Sequence, residues 1–153
     1  MTLSDLLEKD LILIKIECAS KDEFISKLLS RIYDLGRTPP FPSEEVLRKI
    51  KMREEIGGTL LPSGLAAPHA RLKDYEGFII AAGTPMEPLF FDGIQIRLVS
   101  LMISSQSGGP YYLPTLAGLT KLSRDKEYFS KLCGAESPDR FIKILKERDP
   151  ELA

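Results

Sequence analysis

His69 is the only histidine in this chain of 153 residues, and an imidazole can serve as both nucleophile and proton carrier near neutral pH. It stands in the run Gly64-Leu65-Ala66-Ala67-Pro68-His69. Pro68 fixes its own φ and holds Ala67 extended, so the ring is expected on a stiff backbone. Gly64, Ala66 and Ala67 are small enough for a phosphate or a protein surface to approach closely, while Thr59 and Ser63 supply hydroxyl donors. Arg53 adds a planar fork of N–H groups suited to the oxygens of a phosphoryl group, which carries about -1.5 to -2 charges near neutrality. Together these types suit a site where an anion such as a phosphoryl group meets the imidazole. The competing structural reading is a tight turn packed under a sheet, with Arg53 ending a solvated helix and pairing with Glu54 or a neighbour.

Other chemistries find less support. No second histidine, nearby cysteine or acidic pair has metal-ligand spacing, so no metal is expected, and no Walker-type loop is present to hold a nucleotide cofactor. A hydrolase with His69 as general base and Ser63 or water as nucleophile lacks a recognisable acid to orient the imidazole.

The elements that must carry these residues can be read from periodicity. Leu11 to Ile16 reads as a buried strand, and Ser20 with Glu23 has the spacing of a capping box opening a helix through Phe24, Leu28, Ile32 and Leu35. Gly36 suits a left-handed C-terminal cap. The prolines of Arg37 to Pro42 predict a loop, after which Ser43 is expected to cap a helix through Val46, Leu47 and Ile50 that ends near Gly57-Gly58. Thr59 to Leu72 reads as loop and short strand. Phe78 to Ala82 and Ile94 to Leu101 read as strands, the second entered through the turn Asp92-Gly93. After Gly108-Gly109-Pro110 come a helix through Leu113, Leu116, Leu119 and Leu122, another capped by Ser123 and stopped at Gly134, and a last one opened by Ser137-Pro138. This interleaving predicts an α/β single-domain sandwich over residues 1–153, a mixed sheet flanked by helices.

Composition bounds the setting. At 43% hydrophobic residues the chain can build one core, and its longest apolar runs fall well short of the roughly 20 residues of a membrane-spanning helix, so no direct membrane insertion is expected. The N-terminus shows no secretory pattern, which makes the cytoplasm the expected location. A formal charge of -1 predicts no nucleic-acid partner, and the run Lys143 to Arg148, interrupted by Glu147, reads as a solvated helix face. Cys18 and Cys133 read as buried thiols.

The segments Arg53-Glu54-Glu55-Ile56-Gly57-Gly58-Thr59 and Gly64-Leu65-Ala66-Ala67-Pro68-His69 resemble the signature of the enzyme IIA domains, type 2, of the bacterial phosphotransferase system, the fructose, mannitol and nitrogen-regulatory family. Phe91-Asp92-Gly93 and Leu113-Pro114-Thr115-Leu116 fall where that family has similar segments. The resemblance implies that His69 accepts a phosphoryl group from an HPr-like carrier and passes it to a IIB domain, or serves as a regulatory switch on a target protein. It implies that Arg53 stabilises the phosphohistidine; from their own chemistry Thr59, Ser63, Gly64, Pro68 and Tyr112 are expected to support the phosphoryl group. Two departures stand out. Tyr112 occupies the place where family members commonly carry a second histidine, so a hydroxyl donor replaces a titratable ring. Leu60-Leu61-Pro62-Ser63 replaces the usual small residues before the histidine. The alternative role is a stand-alone nitrogen-type regulator acting by phosphorylation-dependent protein binding.

Overall fold

A computed structural model describes residues 1–37 and 39–152. Its centre is a mixed sheet in which β1 (Ile12–Ile16) runs parallel to β4 (Phe78–Pro85), and β4 antiparallel to β7 (Leu98–Ser105). On the far edge of β7 lie β2 (Leu65–Ala66) and β3 (His69–Leu72), both parallel to it. These two are one edge strand interrupted at Ala67-Pro68. Proline has no amide to donate, which suits it to an edge, and its carbonyl still accepts from the Met102 amide at 3.0 Å.

All eight residues of β7 are buried, as expected for a central strand covered on both faces. Alternate side chains enter different cores. Leu98 and Met102, with Ile80 and Ala82 of β4, pack against α4 (Tyr112–Arg124), α5 (Lys126–Cys133), α6 (Pro138–Leu145) and the short α1 (Leu3–Leu6). Val99, Leu101 and Ile103, with Ala81, pack against α2 (Lys21–Asp34) and α3 (Ser43–Gly57). The result is the expected α/β sandwich. Phe24 of α2 is fully buried, and burying such a ring stabilises the fold by about 1.5–3 kcal/mol.

The helix ends follow local chemistry. Ser20 caps α2 by accepting from the Glu23 amide at 3.1 Å, but Glu23 returns its carboxylate to the Ala19 amide rather than to that of Ser20. Gly36, at φ +71°, ends α2 with its amide on the Tyr33 carbonyl and that of Arg37 on Ile32, a Schellman arrangement. Ser137 caps α6 through the Arg140 amide, with Pro138 opening the helix. Of the Arg37 to Pro42 loop, Thr38 lies outside the described residues.

Several expectations are corrected. Ser43 is the first residue of α3, and Pro42 occupies the cap position without a side-chain bond. Asp125, not Ser123, caps α5, because Ser123 remains inside α4 with its hydroxyl on the Thr120 carbonyl. The strand expected over Ile94 to Leu101 breaks at Arg97: Leu98 onward belongs to β7, whereas β6 (Ile94–Ile96) folds against β5 (Leu89–Phe91). The break occurs because the amides of Arg97 and Leu98 both turn to the Gly64 carbonyl, at 2.8 and 3.3 Å. The Asp92-Gly93 tip has φ +50° and +76°, positive at both central residues as a type I′ hairpin requires. Cys18 and Cys133 are half-buried rather than buried, and burial pushes the Cys133 thiol up to about 12. The expected solvated helix face ends early, since α6 gives way to a 3-10 turn over Lys146–Arg148, where Arg148 pairs with Asp125. Among the described residues, no helix is long and apolar enough to cross a membrane.

Candidate active site

His69 opens β3, paired with Met102 of β7. The segment leading to it is tied down on both sides. The Ala67 amide donates to the Thr59 carbonyl at 3.1 Å, and Leu60 bridges Ala66. With Pro68 fixing φ, the imidazole leaves a backbone that has little freedom to move. Alternation then places Ala70 and Leu72 in the core under α2 and α3, while His69 and Arg71 face the side of α4.

His69 is 2% exposed. Tyr112, the first residue of α4 and itself buried, brings its hydroxyl oxygen to 3.2 Å from Nδ1, with the ring centroids 4.5 Å apart. Among the described residues this is the one side chain that bonds the ring, so no carboxylate orients it as a hydrolytic triad would require. The Arg71 guanidinium lies 5.2 Å from the centre of the Tyr112 ring, a cation-π contact that braces the phenol. Burial, reinforced by the charges of Arg53 and Arg71, pushes the imidazole down from 6.5 to about 4. The ring is therefore neutral at physiological pH and keeps a lone pair for attack.

His69 opens onto a cavity of about 470 Å³ walled by β3 and the second half of α3. Arg48, Lys49, Met52, Arg53 and Ile56 form one wall, with Ala70 and Arg71 opposite. Four of these lining side chains are cationic and none is acidic. The Arg53 guanidinium is anchored by donating from Nη1 to the Gly57 carbonyl at 2.6 Å, at the end of α3 where unpaired carbonyls attract a cation. It does not pair with Glu54, whose carboxylate instead meets Lys21 of α2 in a buried salt bridge at 3.0 Å. Lys21 also sits 3.9 Å above the Phe91 ring, so α2, α3 and the hairpin are joined behind the site.

The site residues read from sequence thus divide. Arg53, Pro68, His69 and Tyr112 come together. Thr59 contributes its carbonyl to the loop, while its hydroxyl is buried without a hydrogen-bond partner. Ser63 and Gly64 do not belong with them: parallel pairing of Leu65 with Leu98 and of His69 with Met102 separates the two levels by four residues, roughly 13 Å of strand. Ser63 lines a different cavity beside Arg97. Gly64 is a glycine for packing reasons, with φ +95° and an added Cβ only 2.6 Å from the Gln95 carbonyl oxygen.

Sequence reasoning missed Arg48, Lys49 and Arg71. The signals were present: Arg71 is two residues beyond His69 on an alternating strand, and Arg48, Lys49, Met52, Arg53 and Ile56 share one helical face. Among the described residues, no group of three His, Cys, Asp or Glu is placed to hold a metal ion.

Comparison with known proteins places this geometry in context. Residues 5–148 match the family described as "Phosphoenolpyruvate-dependent sugar phosphotransferase system, EIIA 2". The chain is 28% identical over 97% of its length to the 2-O-alpha-mannosyl-D-glycerate-specific EIIABC component of Escherichia coli, of which it spans 23%. It is 26% identical to the nitrogen regulatory protein of Bradyrhizobium diazoefficiens, with 95% of each covered. The fold matches the nitrogen regulatory protein IIA-Ntr of Neisseria meningitidis, with a TM-score of 0.75, 21% identity and 94% and 98% of the two chains covered. It likewise matches enzyme IIAMTL of Escherichia coli in its complex with phosphorylated enzyme IIBMTL, with a TM-score of 0.75, 20% identity and 94% and 100% covered.

Proposed function

Given that the chain belongs to the type 2 EIIA family of the phosphoenolpyruvate-dependent sugar phosphotransferase system, we propose that it is a phosphocarrier in which His69 takes a phosphoryl group from an HPr-like carrier and passes it to a IIB domain. One observation carries the reading: a buried imidazole, held neutral, opens onto a cavity lined by Arg48, Lys49, Arg53 and Arg71 and by no acid.

The step needs little from the protein beyond alignment and charge. In the tautomer that serves this step, Nδ1 carries the ring proton and donates to the Tyr112 oxygen 3.2 Å away, which leaves the Nε2 lone pair free to attack. Nε2 attacks phosphorus in line; the N–P bond of the donor phosphohistidine breaks and its electron pair returns to the donor imidazole. The new bond draws positive charge onto the His69 ring, which the Nδ1–H bond to Tyr112 stabilises. The phosphoryl oxygens meet the guanidinium groups of Arg53 and Arg71. The same arginines that disfavour an imidazolium favour the dianion. Transfer to the acceptor reverses the step, with no metal and no proton exchanged with solvent.

A second role, regulation by phosphorylation-dependent docking, is favoured by the cavity rim. Met52 and Ile56 are 52% and 83% exposed beside the site, and placing a dianion next to such an apolar patch alters what it can bind. The match to nitrogen regulatory proteins supports this role as well.

The test is intact-mass analysis after incubation with phosphoenolpyruvate, enzyme I and HPr. An acid-labile phosphate adduct is expected on the native chain and not on His69→Ala. No adduct on the native chain with these donors refutes the carrier role; loss of the adduct on adding a purified IIB domain separates relay from regulation.

A further inference from the structure

The structure holds a second, larger cavity of about 740 Å³, away from His69 and between the Pro62-Ser63 turn, the start of β7 and the α4–α5 junction. Its walls carry Arg97, Arg124 and Lys126, with the hydroxyl residues Ser63, Ser123 and Ser130 between them. No acidic residue lines it, and among the described residues none of the three cations forms a salt bridge. Of the two acids next to them in sequence, Asp125 is engaged by Arg148 and by the Tyr128 amide, and Glu127 lines a separate cavity with Lys131 and Arg148. Three unneutralised cations around one concavity are self-repelling, and an anionic ligand relieves that repulsion.

The centre of the cluster is preorganised. Arg97 is half-buried at the break between β6 and β7, with its backbone amide on the Gly64 carbonyl and its Nη1 donating to the Ser130 hydroxyl at 3.2 Å. The remaining guanidinium donors are left for a ligand, in the fork geometry that matches phosphate oxygens. The positive φ of Gly64 and the absence of room for a Cβ against Arg97 fix this wall. Volume argues for more than a lone ion, since organic ligands occupy sites of about 300–1,000 Å³. Pro62, Ile94 and Phe129 give the cavity an apolar side to receive the organic part.

We propose that this cavity binds a small organic phosphate, at a site separate from the phosphoryl-transfer centre and independent of the function assigned to His69. The probe is glucose 6-phosphate, followed by amide NMR of the full chain, with glucose and inorganic phosphate as controls. Saturable shifts are expected at the amides of Gln95, Arg97 and Ser130 with glucose 6-phosphate, with none from glucose and weaker binding of inorganic phosphate. They should persist in Arg53→Gln/Arg71→Gln, which removes two cations of the His69 cavity. In Arg124→Gln/Lys126→Gln, changes at exposed positions that leave the fold intact, affinity should fall at least about tenfold, as expected for losing charge-assisted bonds. Absence of saturation at these amides, an equal response to glucose, unchanged affinity in the Arg124/Lys126 variant, or inorganic phosphate binding as tightly as the sugar phosphate would each overturn the proposal.

Discussion

Titration of the His69 imidazole puts the electrostatics of the site to a direct test, because the chain has no other histidine and the ring gives one unambiguous NMR signal. His69 is 2% exposed, and burial is the largest cause of the displacement from 6.5 to about 4, followed by the charges of Arg53 and Arg71. That displacement corresponds to roughly 3 kcal/mol against the imidazolium form. The expected midpoint is therefore near 4, with the signal flat through the physiological range. Arg53→Gln and Arg71→Gln should each raise the midpoint by less than burial lowers it. A linked effect follows on stability: with the native pKa below the unfolded value, the unfolded chain takes up the proton first on acidification. The contribution is intact above pH 6.5 and is lost as pH falls from there towards 4. Urea unfolding of the native chain should show that extra loss, up to about 3 kcal/mol, relative to His69→Gln. A midpoint at 6 or higher, or identical pH slopes for the two proteins, would refute the account of a ring held neutral by burial and two arginines.

Tyr112→Phe removes the hydroxyl that meets Nδ1 while keeping the buried ring; phosphoryl acceptance in an intact-mass time course should slow by about tenfold, the scale of one bond to a charged group. Arg53→Gln should slow acceptance while lowering thermal stability little, since its one hydrogen bond caps the end of α3; stopped time courses and a melting curve check both. Gly64→Ala forces a Cβ against a backbone oxygen at positive φ, so a loss of at least about 1–3 kcal/mol is expected in denaturant unfolding. Glu54→Gln breaks the buried pair with Lys21 and should cost about 3–5 kcal/mol by the same measurement.

Local signals were the most legible. Ser20, Gly36, Ser137 and Pro138 act through the few residues around them, and each is found in or next to its expected role. The positions of Arg53 and His69 could be read from sequence because a glycine pair ends the helix that carries one and a proline precedes the other. The errors lie where distant residues decide. Ile94 to Leu101 has uninterrupted strand character, and only the Gly64 carbonyl, thirty-three residues before Arg97, breaks it there. Ser63 and Gly64 stand close to His69 in sequence, yet an extended chain carries them a strand's length away. Ser123 was a reasonable cap until Asp125, with its stronger acceptor, took the place two residues later.

The edge strand that carries His69 draws on both helical layers: Tyr112 reaches the ring from α4, and Arg53 closes the cavity from α3. Neither layer alone makes a site. A partly folded chain with only one layer docked leaves the imidazole without its tyrosine or without its arginine. Under the proposed phosphocarrier role, phosphorylation is therefore confined to molecules that have completed assembly. On that reading, a phosphorylated copy has passed a check on its own folding, and copies lacking either layer stay out of the relay.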